Sequence, residues 1–329
     1  MNTSVIPGGS RLDELAAWSW LSDTSDSATF HALELLQEYE SPLKVAEASS
    51  AQLTSVTGAK FVARLNQSRS RYEGDDFSKR VHDLMATGVR VVTIRDKSYP
   101  VQLRGIDNPP LLLFWKGRLR SLTRPIAIVG TRIASDSGMS AARLLSEELS
   151  RAGHCIVSGL ARGIDTMAHY GALDGEGETV AVLPGPLDFV YPPENALLAD
   201  DIVEKGALVA ENSPVVSLRD PQPQKFRWVK RNRIISGLAE AVVVIEVTKS
   251  GGSMHQVRYA ITQGRPVFVM KPGPDSRRQL CDGFRSAIAA GAKSFESHGA
   301  LLSLLRSRTR VNQSFLNSAG PCRSSHEFG

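Results

Sequence analysis

Short apolar runs rich in β-branched residues alternate with longer helical stretches between residues 126 and 270, and this alternation constrains the fold more than any other feature. Strands that are apolar on both faces and separated by helices are typical of a parallel sheet with helices on both sides. The sequence therefore predicts an α/β fold with a doubly wound, mostly parallel, Rossmann-like sheet. The predicted strands span residues 126–130, 155–158, 179–183, 207–210, 241–247 and 266–270.

Two further regions precede this alternation. Residues 11–87 carry short helical patterns with helix-start and helix-end signals, and they predict a small all-helical domain. Runs at 89–94 and 111–117 predict two more strands, so the Rossmann-like domain is expected to span residues 88–308. Residues 1–10 are interpreted as a flexible leader, and the polar residues 309–329 as a disordered tail.

Composition limits the class of protein. The chain has 329 residues, a net charge of +5 and an isoelectric point of about 9.2, which is compatible with a polyanionic partner without requiring one. Cys155, Cys281 and Cys322 are far apart and no C-x-x-C occurs, so neither a disulfide framework nor a zinc site is predicted, and no cofactor is expected. No apolar run approaches the roughly 18 residues that span a bilayer, and a cytoplasmic protein without a membrane partner is expected.

Two predicted loops at strand ends combine glycine with arginine. Arg132 follows the first of the strands, and Arg162 lies between Gly159 and Gly163, just after Ser158 closes the second. Open α/β sheets bind ligands beyond the carboxyl ends of their strands, where helix N-termini attract anions. Each loop therefore indicates an anion site. A plain strand-to-helix turn with a solvated arginine explains either loop alone about as well.

Two more loops follow predicted strands. Gly251, Gly252 and Ser253 open a helix after the strand 241–247, and the paired glycines make this a stronger anion-binding signal. The proline-rich loop after the strand 179–183 offers Asp188 and Glu194 as an acid and a base. Nothing fixes their geometry, so a rigid structural loop is the favoured interpretation.

The most basic stretch is K-F-R-W-V-K-R-N-R, residues 225–233. Its R-N-R segment is predicted to begin a helix, where cations oppose the helix dipole unless an anion binds. Phosphates need positive charge and bases need a stacking face, so this mixture favours single-stranded nucleic acid. A solvated charged face with a partly buried tryptophan is the structural alternative. The candidate residues are Lys225, Trp228, Lys230, Arg231, Asn232 and Arg233.

Motifs for catalysis are missing from the sequence. Neither G-x-G-x-x-G nor G-K-[ST] occurs, so a dinucleotide fingerprint and a P-loop are not predicted. Ser158, Asp165 and His169 suggest a triad by residue type, but no G-x-S-x-G elbow is present, and an aspartate four residues before a histidine on one helix is usually a local pair. No catalytic residue and no metal site are predicted.

Five segments carry a family resemblance: GTRIASDSG, SGLARGIDTMAH, PLDFVYPPEN, RNRIISGL and GRPVFVMKPG occur in this order. Together they resemble the DNA-processing protein DprA (Smf) family over about residues 80–305. The resemblance implies a dimeric, non-enzymatic protein that binds and protects single-stranded DNA and loads the RecA recombinase during natural transformation. It also implies that the N-terminal helices form a SAM-like domain.

The resemblance assigns DNA contacts residue by residue. It implies roles for Arg132, for Ser158 and Gly159, for Lys225 and Trp228, and for the R-N-R segment 231–233. Two departures stand out. Trp228-Val229 replaces the family's Phe-Pro, which keeps an aromatic face, and the family's S-G-S-x-x-T-A loop is altered at residues 251–257.

An alternative function comes from the wider fold group. Its nucleotide-binding members are similar to cytokinin-activating phosphoribohydrolases, which carry P-G-G-x-G-T followed by a catalytic glutamate. Here no glutamate follows Gly251 and Gly252 within the next turn, which argues against hydrolysis. A diverged nucleotide sensor stays open as a further alternative because the glycine loop is altered.

Overall fold

A nine-stranded sheet forms the centre of the molecule. The structure, a computed structural model, describes residues 13–25, 29–73, 75–118, 122–213, 224–274 and 276–305. Its strands are β1 (Val89–Thr93), β2 (Leu112–Gly117), β3 (Ile126–Val129), β4 (Ile156–Ser158), β5 (Thr179–Leu183), β6 (Ala207–Ala210), β7 (Ala241–Val244), β8 (Val267–Met270) and β9 (Lys293–Phe295).

The order of the strands creates a switch point at the middle of the sheet. Across the sheet they run β1-β2-β6-β5-β4-β3-β7-β8-β9. Strands β3 to β9 are parallel, whereas β2 pairs antiparallel with both β1 and β6. After β3 the chain adds β4, β5 and β6 on one side and then crosses to β7 on the other. Ligands of doubly wound sheets bind at such a reversal, so β3 and β7 mark where a site is expected.

Helices cover both faces of the sheet. Because strand side chains alternate between faces, Ala127 and Val129 pack against Ile235 on one face, whereas Ile126 and Ile128 pack in a separate core on the other. The helices are α1 (Glu14–Ser25), α2 (Thr29–Tyr39), α3 (Pro42–Glu47), α4 (Ser50–Thr57), α5 (Ala59–Arg69), α6 (Asp75–Ala86), α7 (Val101–Arg104), α8 (Asp136–Arg151), α9 (Ile164–Asp174), α10 (Ala196–Lys205), α11 (Gln224–Leu238), α12 (Gly252–Thr262), α13 (Arg278–Ala289) and a last helix over residues 298–305.

Helices α1 to α6 precede the sheet and share a buried core with it. Trp20 and Leu65 of these helices lie in the same apolar cluster as Phe114 of β2 and Leu183 of β5. The Trp20 indole N–H donates to the Leu65 carbonyl oxygen at 3.0 Å, which satisfies the polar atom of this buried ring. The helical region is therefore packed against the sheet rather than tethered to it.

The predicted fold class is confirmed, with differences at the ends of elements. Strand β7 ends at Val244, three residues before the predicted end, and β9 was not predicted because Lys293 and Ser294 are exposed polar residues. Within the described ranges no helix is both long and apolar enough to cross a membrane. The predicted leader 1–10 and tail 309–329 lie outside the described residues, and the domain limits stay predictions.

Candidate nucleic-acid interface

A cavity of about 510 Å³ opens at the carboxyl ends of β3 and β7, where the sheet changes its direction of winding. We refer to it as the switch-point cavity. The loop after β3, one face of α11 and the start of α12 form its walls. Its lining residues are Val129, Gly130, Thr131, Arg132, Ile133, Ala161, Asp165, Tyr191, Trp228, Val229, Arg231, Asn232, Ile235, Ser250, Gly251, Gly252, Ser253, His255 and Gln256.

Helical spacing decides which basic residues of α11 reach the cavity. Trp228, Arg231 and Ile235 repeat at three and four residues, so they share a helix face with Asn232, and that face lines the cavity. The sequence predicted that the R-N-R segment begins a helix, and this prediction is wrong. The segment lies inside α11, which already begins at Gln224. The argument from the helix dipole therefore does not apply to it.

Two basic residues of this stretch face an internal acid. Arg233 donates to Glu211 with an N–O distance of 2.5 Å, and the Lys230 ammonium lies 3.3 Å from the same carboxylate. The side chains of Arg233 and Glu211 are only 3% and 7% exposed. Burial alone would raise the pKa of Glu211, but the two cations together hold it below its usual range. The predicted DNA contacts Lys230 and Arg233 thus lie away from the cavity, in a structural cluster.

Trp228 is the centre of the aromatic and cationic contacts in the cavity wall. The guanidinium carbon of Arg132 lies 4.6 Å from the centre of its ring, and that of Arg231 lies 5.9 Å away. Tyr191 meets the same indole edge-on, with ring centres 5.3 Å apart and planes at 67°. Cations over aromatic faces are attracted by the ring quadrupole. The site therefore joins an exposed arginine to a half-buried stacking surface.

Arg231 is buried, and its hydrogen bonds hold the loop after β4 in place. It donates to the carbonyl oxygens of Gly159, at 2.7 Å, and of Val182. Burial lowers the pKa of Arg231 to about 10, so it stays charged at neutral pH. A methyl group added at Gly159 would collide with this guanidinium, which explains why glycine occupies that position. Gly159 thus positions Arg231.

Two of the predicted anion loops are filled by carboxylates of the chain itself. Glu246 accepts hydrogen bonds from the backbone N–H and the hydroxyl of Ser135, at 3.0 and 2.5 Å, at the N-terminus of α8. Asp165 accepts the Gly159 N–H at 3.2 Å, and burial raises its pKa against the opposing charge of Arg231. These acids occupy the helix N-termini where the sequence suggested external anions.

The start of α12 is the glycine-rich loop that stays open. Gly251, Gly252 and Ser253 all line the cavity, and the N-cap residue Gly251 has no side chain to cap the helix. A methyl group placed on Gly252 would meet no atom within 4 Å. The Asn232 amide donates to the Gly252 carbonyl oxygen at 3.2 Å and ties this loop to α11. Backbone N–H groups at such a helix start are suited to a phosphate.

The remaining predicted residues lie elsewhere. Ser158 is fully buried, and its hydroxyl donates to the Ile128 carbonyl oxygen at 2.6 Å. The exposed guanidinium of Arg162 pairs with Glu194 and does not line the cavity. Lys225 belongs to α11, but its side chain lies outside the described part of the structure.

The triad suggested by residue type does not form. His169 is fully buried, its Nδ1 lies 2.8 Å from the Thr179 hydroxyl, and burial lowers its pKa to about 3. Ser158 donates to a backbone oxygen instead of this histidine. In the residues that the structure describes, no group of three or more acidic, histidine or cysteine side chains is placed to hold a metal ion.

Tyr191, His255 and Gln256 line the cavity without having been predicted. Tyr191 belongs to the loop after β5, and the position of that loop at the carboxyl end of a parallel strand was the signal that could have identified it. His255 and Gln256 follow the paired glycines by only a few residues, so the altered loop itself was the signal for them.

Comparison with known proteins places this site in context. The family model described as DNA recombination-mediator protein A matches residues 90–306. The DNA processing protein DprA of Bacillus subtilis is 40% identical over 188 residues, which cover 56% of this chain and 61% of that protein. The Smf protein of Synechocystis is 37% identical over 219 residues, or 53% of its own length. The matched region thus spans less than two thirds of these relatives.

Solved structures agree with the sequence comparison. The crystal structure of DprA from Streptococcus pneumoniae superposes with a TM-score of 0.72 at 31% identity, covering 88% of this chain and 97% of that one. DprA from Helicobacter pylori superposes with a TM-score of 0.57 at 25% identity, covering 68% and 98%. The Helicobacter structure was described for its single-stranded DNA binding mode.

Proposed function

Because the chain belongs to the DNA recombination-mediator protein A family, we propose that it is a recombination mediator that binds single-stranded DNA in the switch-point cavity. The observation that carries this proposal is the contact between Arg132 and Trp228 beside the open N-terminus of α12. Single-strand binding needs positive charge for phosphates and an aromatic face for bases, and this wall offers both.

Each element of the wall has a role in this proposal. Arg132 is exposed and forks onto a phosphate, and the backbone N–H groups at Gly252 and Ser253 bind another phosphate oxygen. Trp228 stacks on a base. Arg231 and Asn232 keep the cavity wall in place through their bonds to Gly159 and Gly252. Binding in this manner reads no base sequence, because every base has a face to stack.

The cellular role extends the proposal from DNA binding to recombination. We propose that the chain acts in the cytoplasm as a homodimer, protects incoming single strands and hands them to the RecA recombinase, without catalysis of its own. The description of the family as a DNA recombination mediator supports the recombination part of this role. The proposed phosphate contacts avoid the N-terminus of α8 at Ser135 and the Gly159 N–H, because Glu246 and Asp165 already accept the hydrogen bonds there.

A nucleotide-binding function is the competing proposal. The cavity volume of about 510 Å³ and the open glycine-rich start of α12 also suit a mononucleotide. Ser253, Met254, His255 and Gln256 follow the glycines, so the position of a catalytic glutamate is not filled. Incubation with nucleoside monophosphates, an assay for released base and a direct binding titration with AMP test this alternative: release of base or saturable AMP binding would support it, and the absence of both would leave DNA binding as the function.

A binding titration tests the proposed function directly. Fluorescence anisotropy of a labelled oligothymidylate of about 20 nucleotides is measured at several salt concentrations, with duplex DNA and AMP as competitors. Arg132→Ala is expected to weaken binding about tenfold and to reduce the salt slope by about 0.7. Arg143→Ala removes an exposed arginine that also lies near a tyrosine, so it is the matched control. Equal affinities of Arg132→Ala and the wild type would contradict the proposal.

A further inference from the structure

We infer that Tyr191 and Arg162 form a second nucleotide subsite at the rim of the switch-point cavity, and that Glu194 competes with a DNA phosphate for Arg162. This inference rests on the proposed function and extends it beyond the cavity itself. The rim consists of Arg162, Tyr191 and Glu194, of which only Tyr191 also lines the cavity.

Tyr191 connects the rim to the cavity. Its ring packs edge-on against Trp228, yet 36% of Tyr191 stays exposed to solvent. Large aromatic side chains are usually more buried than this, and an exposed one next to a stacking residue offers a second face to a base. A strand whose base stacks on Trp228 therefore meets Tyr191 with a neighbouring nucleotide.

Arg162 supplies the charge on the far side of Tyr191. Glu194 chiefly, and the Tyr191 side chain to a smaller extent, raise the pKa of the Arg162 guanidinium, which places the tyrosine side chain close to this cation. The Arg162 and Glu194 side chains are 55% and 49% exposed. Water and salt weaken an ion pair at this level of exposure, so Glu194 is a partner that a phosphate can replace. A guanidinium released in this way can bind a phosphate with two parallel hydrogen bonds.

The loop that carries the rim is held firmly enough to keep this arrangement. Leu187 is buried in the apolar core, and the Asn212 amide donates to the Pro184 carbonyl oxygen at 2.8 Å. The Asn195 amide donates to the Leu160 carbonyl oxygen at 3.0 Å, which ties the end of this loop to the segment that contains Arg162. Both parts of the subsite are thus fixed relative to each other.

The chain contains a similar trio of residues away from the cavity, which provides a matched control. Arg143 pairs with Asp174 at 2.6 Å, their side chains are 50% and 35% exposed, and the Arg143 guanidinium carbon lies 5.8 Å from the centre of the Tyr170 ring. Asp174 is the last residue of α9, about 15 Å along the helix from its start near the cavity. Neutralising Asp174 changes the net charge by the same amount as neutralising Glu194.

The experiment compares Glu194→Gln, Tyr191→Ala and Asp174→Asn in the anisotropy titration with labelled oligothymidylate, after thermal melting has confirmed that each variant folds. Glu194→Gln is expected to bind about threefold more tightly and with a salt slope steeper by about 0.7, because it removes the charge that competes with a phosphate for Arg162. Tyr191→Ala is expected to bind about tenfold more weakly through the loss of one stacked base. Asp174→Asn is expected to bind like the wild type.

The outcomes separate this inference from the proposed function. Wild-type affinity of Glu194→Gln, or an equal gain in Asp174→Asn, would overturn the rim subsite, because the effect would then be absent or merely one of net charge. Trp228→Ala in the same titration tests whether DNA binds in the switch-point cavity. If Trp228→Ala binds like the wild type, the proposed function fails, whereas loss of binding in Trp228→Ala together with unchanged Tyr191→Ala and Glu194→Gln overturns only the rim subsite.

Discussion

The Arg132 guanidinium lies 4.6 Å from the centre of the Trp228 ring, so the cation and the stacking face proposed for DNA binding are in direct contact with each other. A base that stacks on the ring face covered by Arg132 must displace this guanidinium. The attraction between such groups is modest, about 0.5–1 kcal/mol at exposed sites, and a phosphate on Arg132 together with a base on Trp228 exceeds it.

This contact predicts a change in tryptophan fluorescence on DNA binding. Trp18, Trp20 and Trp115 are buried, whereas Trp228 is half-buried and faces the cavity. Adding oligothymidylate is therefore expected to quench the emission of Trp228 by stacking. Trp228→Phe keeps an aromatic ring, so it is expected to retain binding by anisotropy but to lose the quenching. Quenching of equal size in Trp228→Phe would mean that the signal arises at another tryptophan.

Replacing Arg233 tests whether it belongs to the fold or to the DNA site. Arg233→Met leaves the buried Glu211 carboxylate with Lys230 as its remaining partner, and it is expected to lower the free energy of unfolding by about 3 kcal/mol. The DNA affinity of the folded fraction is expected to stay unchanged. Urea denaturation and anisotropy measure the two effects separately.

Arg143→Met is the control for this substitution. It breaks the exposed pair with Asp174, for which a change below about 1 kcal/mol is expected. If Arg233→Met is as stable as the wild type but has lost DNA binding, Arg233 is a DNA contact, as the sequence predicted.

The parallel sheet was predictable because runs such as residues 126–129 and 241–244 are apolar on both faces, and this pattern depends only on local sequence. The direction of each side chain was harder to predict. Arg231 and Arg233 look equivalent in R-N-R, but residues two apart on a helix point to nearly opposite sides of it. The sequence did not show which of these sides faces the cavity and which faces Glu211, because Glu211 and the cavity walls come from other parts of the chain.

Contacts between residues far apart in the chain are the second reason why the candidate site was predicted only in part. Glu246 caps the loop at Ser135, which lies 111 residues earlier in the chain, and no local pattern links the two residues. A glycine-rich helix start shows that an anion fits there, but it does not show whether the anion is a ligand or a side chain of the protein. The loop at Gly251 and Gly252 was predicted as an anion site and lines the cavity, although its role in binding stays a prediction.

Gly252→Ala tests that role without disturbing the fold. No atom lies within 4 Å of the added methyl group, and replacing glycine by alanine where the backbone conformation suits both stabilises a protein by about 0.4–1 kcal/mol, so the variant is expected to be at least as stable as the wild type. DNA affinity is expected to fall several-fold because the methyl group stands where a phosphate approaches the backbone. Gly299→Ala, also without close neighbours, lies in the last helix and is the control. Unchanged affinity of Gly252→Ala would exclude a backbone contact there.

Asp23 gives the contact between the helical region and the sheet a dependence on pH. The Asp23 carboxylate accepts the Tyr72 hydroxyl at 2.9 Å and the Ser213 hydroxyl at 2.5 Å, and Ser213 follows β6. Burial raises the pKa of Asp23 to about 6, although these hydrogen bonds and Lys230 act in the opposite direction. The folded protein therefore holds this proton more tightly than the unfolded chain, in which an aspartate has a pKa near 3.9.

The sign of the effect follows from this difference. Stability contributed by Asp23 is fully present below about pH 4, and it is lost as the pH rises through about 6, with a total change of about 3 kcal/mol. Asp23→Asn keeps an oxygen that can accept both hydroxyls and removes the charge. Its free energy of unfolding is expected to exceed that of the wild type at pH 7 and to lack the decline between pH 4 and 6. Urea denaturation across this range measures both.

Glu40→Gln is the control, because Glu40 is an exposed acid whose pKa is lowered by Lys44. This variant is expected to keep the wild-type decline in stability between pH 4 and 6. The same decline in Asp23→Asn would show that another group causes it.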